Sequence, residues 1–520
     1  MKRPFLSRRV HANYRGLVLL AAVASLLASV RAADSPAAVH QATGFKITET
    51  TATTVSIWTR VTRDAERVAD DGPLPITHIF NRTTGAELPL RDNAAYPNGR
   101  PVIAFPPGAD LGSIRGAAIG AAGQTRVRYR AQENSEWAAT AWKDADAQRD
   151  FTAVFQLSAL RPRTRYEISV EARPRADADA DADVTSTTTG EFVTAPAESD
   201  ATAHVSFCVM SCQQYEDRDR PDGFAIYPAM LGRRPDFFVN TGDAVYYDHG
   251  PVHALTVDLA RYHWARMYGF ATLRDFHRQV GSYFMKDDHD VLTNDSHPGD
   301  RTGDFTFADG LRVFREQTAP SEPPYRTFRW GRHLQIWLLE GRDFRSTQAE
   351  DRTHTPTILG TAQIAWLERT LAESDATFRL VITPTPMVGP DRPTKDDNLS
   401  NPGYSAEGTR LRALLARHAN LTVITGDRHW QYVSRDKTTG LEEWSVGAAS
   451  DAHAGGWNED APRPEHRFLR TKHGGFLSGE VAPAGDGTGA TVTLHLHDTA
   501  GKIVFESACP PREPARAAMR

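Results

Sequence analysis

Cysteine is scarce in this chain of 520 residues: Cys208, Cys212 and Cys509 are all it has. Three thiols exclude a disulfide framework, and an odd number leaves at least one unpaired. Cys208 and Cys509 could bridge or could be two inert buried thiols. Cys212 is expected to be the odd one, for a reason that emerges below. Long apolar runs are missing too. Leu17 to Val30 is shorter than the roughly 20 residues a membrane-spanning helix needs. There is no basic excess: 60 Lys and Arg stand against 65 Asp and Glu, for a net charge of −5. No basic patch stands out, so nucleic-acid binding has no electrostatic footprint. No long-period repeat is present, which excludes solenoids and propellers.

What is present reads as a soluble globular chain. Hydrophobic residues make up 40% and charged residues 24%, a balance that disordered chains lack. The length allows more than one domain. Residues 1–32 stand apart. Lys2, Arg3, Arg8, Arg9 and Arg15 form a basic region, the apolar run follows, and Val30-Arg31-Ala32 offers a small-residue cleavage site. This predicts a cleaved signal peptide, with an uncleaved anchor as the alternative. Ser7-Arg8-Arg9 fits a twin-arginine signal, the route for proteins exported already folded around a metal. The expected location is periplasmic or extracellular. The mature chain would carry 54 basic and 65 acidic side chains, a net charge of −11.

The expected organisation is a β domain over residues 33–198, a larger domain over 199–510 and a disordered tail over 511–520. In the first, Thr53 to Val61, Phe151 to Leu157 and Tyr166 to Val170 alternate as half-buried strands. Leu160 to Tyr166 resembles the turn of fibronectin type III domains, whose Tyr hydrogen-bonds back across a corner. The alternating Ala and Asp of residues 175–184 read as a solvated hairpin tip. Thr194 to Asp200 reads as a linker. Beyond it, apolar runs alternate with helical segments, the α/β pattern. Strands are expected at Val205–Val209, Phe237–Val239, Leu334–Leu339, Phe378–Ile382 and Leu421–Ile424. Helices are expected around Leu255–Tyr268, Thr361–Glu373 and Ala406–Arg417, and a closing hairpin over Thr493–Ser507.

The chemistry sits where these strands end. After Phe237-Phe238-Val239 the chain turns at Gly242 and presents Asp243 and then Tyr246. A carboxylate and a phenol at one turn, just past the carboxyl end of a strand, point to a metal site. The first strand is followed by Ser211-Cys212-Gln213, and the fifth by Gly426-Asp427-Arg428-His429. A further cluster runs from Asp287 to Asp295. Four metal-capable clusters, three at strand ends, describe a joint site better than solvated surface does.

These residues resemble the alkaline phosphatase D family of the calcineurin-like metallophosphoesterases. The similarity extends from about residue 40 to the end. It rests on Phe45-Lys46-Ile47, Trp58-Thr59-Arg60, Ser211-Cys212, Gly-Asp-x-x-Tyr at 242–246, Asp-Asp-His-Asp at 287–290, Arg342 to Arg345 and Gly-Asp-Arg-His at 426–429. The Gly-Asp-x-x-Tyr is shared with purple acid phosphatases, where the Tyr ligates ferric iron. The implied fold is a metallophosphoesterase β-sandwich flanked by helices, four layers αββα, behind a small fibronectin type III-like domain. Cys212, Asp243, Tyr246 and His429 then make a mixed site suited to Fe(III) or Zn. Asp288, Asp427 and a bridging Asp243 make an oxygen-only site suited to Ca, Mg or Mn. Asp290 or Asn294 could join it or could cap the loop. The resemblance gives His289 the role of protonating the leaving oxygen.

Two departures from the wider superfamily are visible. Cys212 replaces the usual Asp-x-His of the first motif, as in the alkaline phosphatase D family. Thr383-Pro384-Thr385-Pro386 stands where the superfamily often offers a His, so the second metal loses a nitrogen ligand. Arg342, Arg345 and Arg428 are candidates for gripping phosphate, although such arginines more often form surface ion pairs. Lys395 to Asn398 and Ser450 to His453 are polar loops that could line the mouth of the site.

The resemblance implies an exported, monomeric phosphatase. It would hydrolyse small phosphomonoesters by in-line attack of a metal-activated water. The alternatives are a phosphodiesterase of phospholipase D type on the same site and a non-enzymatic binding protein with a degenerate metal site.

Overall fold

The computed structural model describes residues 37–175, 183–346, 356–485 and 489–509. The expected signal peptide, most of the Ala/Asp run and the tail lie outside the described residues. Among the described residues no helix is long and apolar enough to cross a membrane.

Two large sheets face each other. The first has nine strands in the order Ile503–Cys509, Ala490–Asp498, Gly475–Pro483, Val205–Met210, Phe237–Asn240, Gly281–Phe284, Phe45–Thr48, Val55–Arg60, Thr152–Leu157. The second has seven: Arg326–Trp330, Leu334–Leu338, Phe378–Thr383, Leu421–Thr425, Glu442–Val446, Gln431–Arg435, His466–Arg470. At the heart of each sheet neighbouring strands run parallel, Val205–Met210 beside Phe237–Asn240 beside Gly281–Phe284 in one, Leu334–Leu338 beside Phe378–Thr383 beside Leu421–Thr425 in the other.

Side chains alternate across a strand, which splits each apolar run between two cores. Phe207, Val209 and Val239 point between the sheets and meet Ile336, Leu338, Leu380 and Ile424. Their neighbours Cys208, Met210 and Phe238 point outward. They pack under the helices Val257–Tyr268, Ala271–His277 and Phe307–Thr318 through Trp264, Leu273, Phe276 and Val313. On the far side Trp337, Val381 and Val423 pack under Gly360–Glu373 and Ser405–Leu415 through Leu367, Leu371 and Leu411. Helix, sheet, sheet, helix is the layered α/β arrangement expected. Strands covered on both faces read as continuous apolar runs, and each such side chain contributes roughly 1.5–3 kcal/mol. Cys208 is a free thiol buried in the outward core and takes part in no disulfide.

The N-terminal region folds as a β-sandwich. Phe45–Thr48, Val55–Arg60 and Thr152–Leu157 face a second layer of Ser186–Val193, Arg165–Pro174 and Gly123–Ala131. Ile47, Ile57, Phe155, Ile168, Val170 and Phe192 fill the space between them. At the corner the Arg161 N–H donates to the Tyr166 hydroxyl at 2.9 Å.

The expected boundary near residue 198 is not a boundary of the sheet. Thr48 pairs in parallel with Ser282, so the nine-stranded sheet runs through both halves. The seam is reinforced by buried polar contacts. Lys46 Nζ donates to the Gln317 carbonyl at 2.7 Å and lies over the rings of Trp58 and Tyr268, while Trp58 Nε1 donates to the Glu316 carbonyl at 2.7 Å. Burial pushes the Lys46 amine well below its ordinary value.

Candidate metal centre

The site forms where the parallel strands of both sheets end, on the side where α/β sheets place ligands. Val205–Met210 delivers Cys212, Phe237–Asn240 delivers Asp243 and Tyr246, Gly281–Phe284 leads to Asp287–His289, and Leu421–Thr425 delivers Asp427 and His429. The turns are tight. Cys212, Asp243 and Asp427 all hold left-handed backbone, with φ of 55°, 55° and 62°. Non-glycine residues rarely adopt that conformation, and such strain collects at functional sites. Gly242, with φ 121°, has no room for a side chain: a Cβ there would lie 2.7 Å from Asp287 Cβ.

Asp243 is the hub. Its Oδ2 lies 3.5 Å from Cys212 Sγ and 3.3 Å from Tyr246 Oη, and Tyr246 Oη lies 3.4 Å from His429 Nε2. Ligand atoms of Cys212, Asp243 and His429 fall within 4.8 Å of one another, as do those of Asp243, Asp288 and His289 and those of Asp243, Asp287 and Asp427. The thiolate, phenol, imidazole and bridging carboxylate named from the sequence thus come together. Asp288 and Asp427 also lie against Asp243, in the second and third of these groups. Asp287, which the sequence places in the acidic cluster without a ligand role, belongs to the same group.

The donor set fits two cations. Cys212, Asp243, Tyr246, Asp287 and Asp288 are buried, while Asp427 and His429 are partly exposed. Asp243 Oδ1 and Asp287 Oδ2 have no hydrogen-bond partner, and buried polar atoms are seldom left so. Burial and the neighbouring carboxylates Asp288, Asp287 and Asp290 hold Asp243 well above the usual carboxylate range. Burial, aided by Asp397 and Asp287, does the same to Asp427. Burial and the Asp243 charge raise the Cys212 thiol and the Tyr246 phenol. Burial, with His453 and His289 close by, keeps His429 neutral. A cluster of anionic groups that resists ionisation for want of positive charge is the electrostatic complement of a cation. The set combines a thiol, a phenol and an imidazole with carboxylates, so it offers both soft and hard donors.

His289 lies beside this cluster with its ring stacked on Tyr246 at 4.3 Å. Its Nδ1 meets Asp248 Oδ1 at 2.6 Å. Burial opposes its charge, but Asp248, Asp288 and Asp243 outweigh it and hold the imidazolium well above the ordinary value. Nothing in the sequence singles out Asp248. The signal was weak: one acid among several polar residues after Tyr246, with nothing in the spacing to link it to a His 41 positions away.

Asp290 caps rather than ligates. Its carboxylate accepts the N–H groups of Asp243, Val245 and Asp287. The arginines divide similarly. Arg342 is fully buried between Asp287 and Asp288. With His289 it outweighs burial and holds Asp288 below the usual range. Arg428 is buried among Asp391, Asp397 and Asp427. Arg345 Nε donates to the Tyr404 hydroxyl. A cavity of about 530 Å³ opens over the cluster, lined by His289, Asn294, His429, Arg392, Lys395 and His453 among others. Lys395 and His453 come from the two loops expected at the mouth. Arg392 joins them from just ahead of the first loop.

Residues 207–457 match the profile of a family described as PhoD-like phosphatase. The chain carries a PhoD-like domain. Over 299 residues it is 24% identical to the alkaline phosphatase D of Bacillus subtilis (strain 168), covering 47% of this chain and 49% of that protein. The chain thus matches about half the length of that relative. Among solved structures, one described as PhoD superposes with a TM-score of 0.64 at 16% identity, covering 92% of this chain and 90% of the other. A purple acid phosphatase from seeds of yellow lupin (Lupinus luteus) superposes with a TM-score of 0.55 at 10% identity, covering 91% and 96%. At these identities the likeness is one of fold. The PhoD-like domain holds Cys212, Asp243, Tyr246, Asp288, Asp427 and His429, so the whole cluster lies inside the matched stretch.

Proposed function

We propose that the protein is an exported metal-dependent phosphoesterase. The observation that carries this is the convergence of Cys212, Tyr246, His429, Asp288 and Asp427 around Asp243, with His289 at the cavity wall. Bound there, Fe(III) or Zn at the Cys/Tyr/His side and Ca, Mg or Mn at the carboxylate side would polarise a phosphoryl group and acidify water. The chain's own residues do the rest. Asp243 faces both halves of the site and fixes their separation. Asp248 holds His289 by Nδ1 and leaves Nε2 for the leaving oxygen.

The basic reading is a monoesterase of the alkaline phosphatase D type. One observation favours diesters as well: a second polar cavity of about 920 Å³ shares Asn294 and Lys395 with the first and has room for a second substituent. Export rests on the basic and apolar pattern of residues 1–32, and a fibronectin type III-like module on the N-terminal sandwich and its Tyr166 corner. The test is hydrolysis of a chromogenic phosphomonoester and of a phosphodiester by the metal-loaded protein. Asp243→Asn should abolish both activities; undiminished turnover would refute the proposal.

A further inference from the structure

Tyr246 Oη has a nearer neighbour than Asp243 or His429. His453 Nε2 lies 2.9 Å away, against 3.3 Å and 3.4 Å for the other two. The opposite ring nitrogen, Nδ1, lies 2.8 Å from Asp217 Oδ2. A carboxylate accepts but cannot donate, so Asp217 fixes the proton on Nδ1 and turns Nε2 toward the phenol. The three residues come from distant parts of the chain. Asp217 closes the short helix Tyr215–Asp217, where its N–H is capped by Gln214 Oε1. His453 belongs to the loop after Glu442–Val446, tied back to the site by Gly455 N–H on the His429 carbonyl at 2.9 Å. Its ring also lies against that of His429, 4.0 Å between centroids, and the side chain is 7% exposed. A histidine that only filled space would not need a carboxylate behind it and a phenol oxygen in front.

We propose that His453, oriented by Asp217, is the positioning residue for Tyr246, fixing where its phenol oxygen stands in the metal centre. The inference rests on the reading of Tyr246 as a ligand. It extends to a phenol the general rule that an outer partner orients a metal-binding side chain, and loss of such a partner typically weakens metal affinity about 10–100-fold.

The test uses the full chain loaded with Fe(III). Tyrosinate bound to Fe(III) absorbs in the visible, and Tyr246→Phe identifies that band. His453→Ala should displace the band and loosen iron by about 10-fold or more, while His453→Gln, which keeps a polar group of similar reach, should recover most of both. Asp217→Asn should displace the band in the same direction. It is half-buried, so it carries the same test if His453→Ala fails to fold. A folded His453→Ala protein with the wild-type band and wild-type iron affinity would overturn this inference and leave the metal centre standing. A wild-type spectrum indistinguishable from that of Tyr246→Phe would overturn the ligand reading and this inference with it.

Discussion

Asp248 is buried, and its two carboxylate oxygens are taken up by His289 Nδ1 and the Asn294 N–H. Asp248→Asn should therefore lower kcat by about 10²- to 10⁴-fold on esters of poor leaving groups while metal content stays at the wild-type level. The loss should shrink for nitrophenyl esters, whose leaving group needs no proton. Because the two side chains act as a unit, combining Asp248→Asn with His289→Ala should be no worse than His289→Ala alone. Elemental analysis and steady-state kinetics on both substrate types check this. A second residue-scale prediction lies far from the site. His497 is buried against Phe476 and bonded to Ser478, and burial pushes its imidazole down to about 4 against the pull of the Gly501 carbonyl. A histidine held below its unfolded value near 6.5 favours the folded state fully above that pH, and the benefit is lost as the pH falls toward 4. The expected loss is roughly 3 kcal/mol at most. Thermal melts at pH 7 and pH 4.5 should show a smaller drop for His497→Gln than for the wild type.

At the scale of the element, the turns after the strands matter more than the strands. Gly242 has no space for a methyl group and sits at φ 121°. Gly242→Ala should be destabilised by roughly 1–3 kcal/mol from backbone strain alone, and contact with Asp287 should spoil the spacing of the two half-sites. Melting temperature and metal stoichiometry should fall together; a variant that kept both would show that the turn is slack. The same elements show what was legible in the sequence. Strands buried on both faces announce themselves as apolar runs, which is why Phe237–Asn240 and Leu421–Thr425 stand within a residue of expectation. Cys212, Asp243, Tyr246 and His429 were legible because each follows such a run directly. The helix Phe307–Thr318 was not, because its capping box closes with Asp309 rather than the usual Glu or Gln. Asp217 and Asp248 were invisible because each acts through a partner from another segment of the chain, and His453 was legible only as part of a loop at the mouth, not as the partner of Tyr246.

Across the whole molecule, the two halves share one sheet. A fragment starting at residue 199 would expose the edge of Gly281–Phe284 and strip the Glu316 and Gln317 carbonyls of Trp58 and Lys46. Unpaired strand edges and orphaned buried carbonyls both promote aggregation. That fragment should be insoluble or oligomeric by size-exclusion chromatography, whereas two independent domains would give a soluble monomer. The shared sheet also sets a timetable. Thr48 cannot meet Ser282 until 234 further residues have been made. At about 5–20 residues per second that is a delay of roughly ten to fifty seconds. During it the growing chain carries an open strand edge with nothing to close it, so synthesis of this protein is the period when it most needs a chaperone.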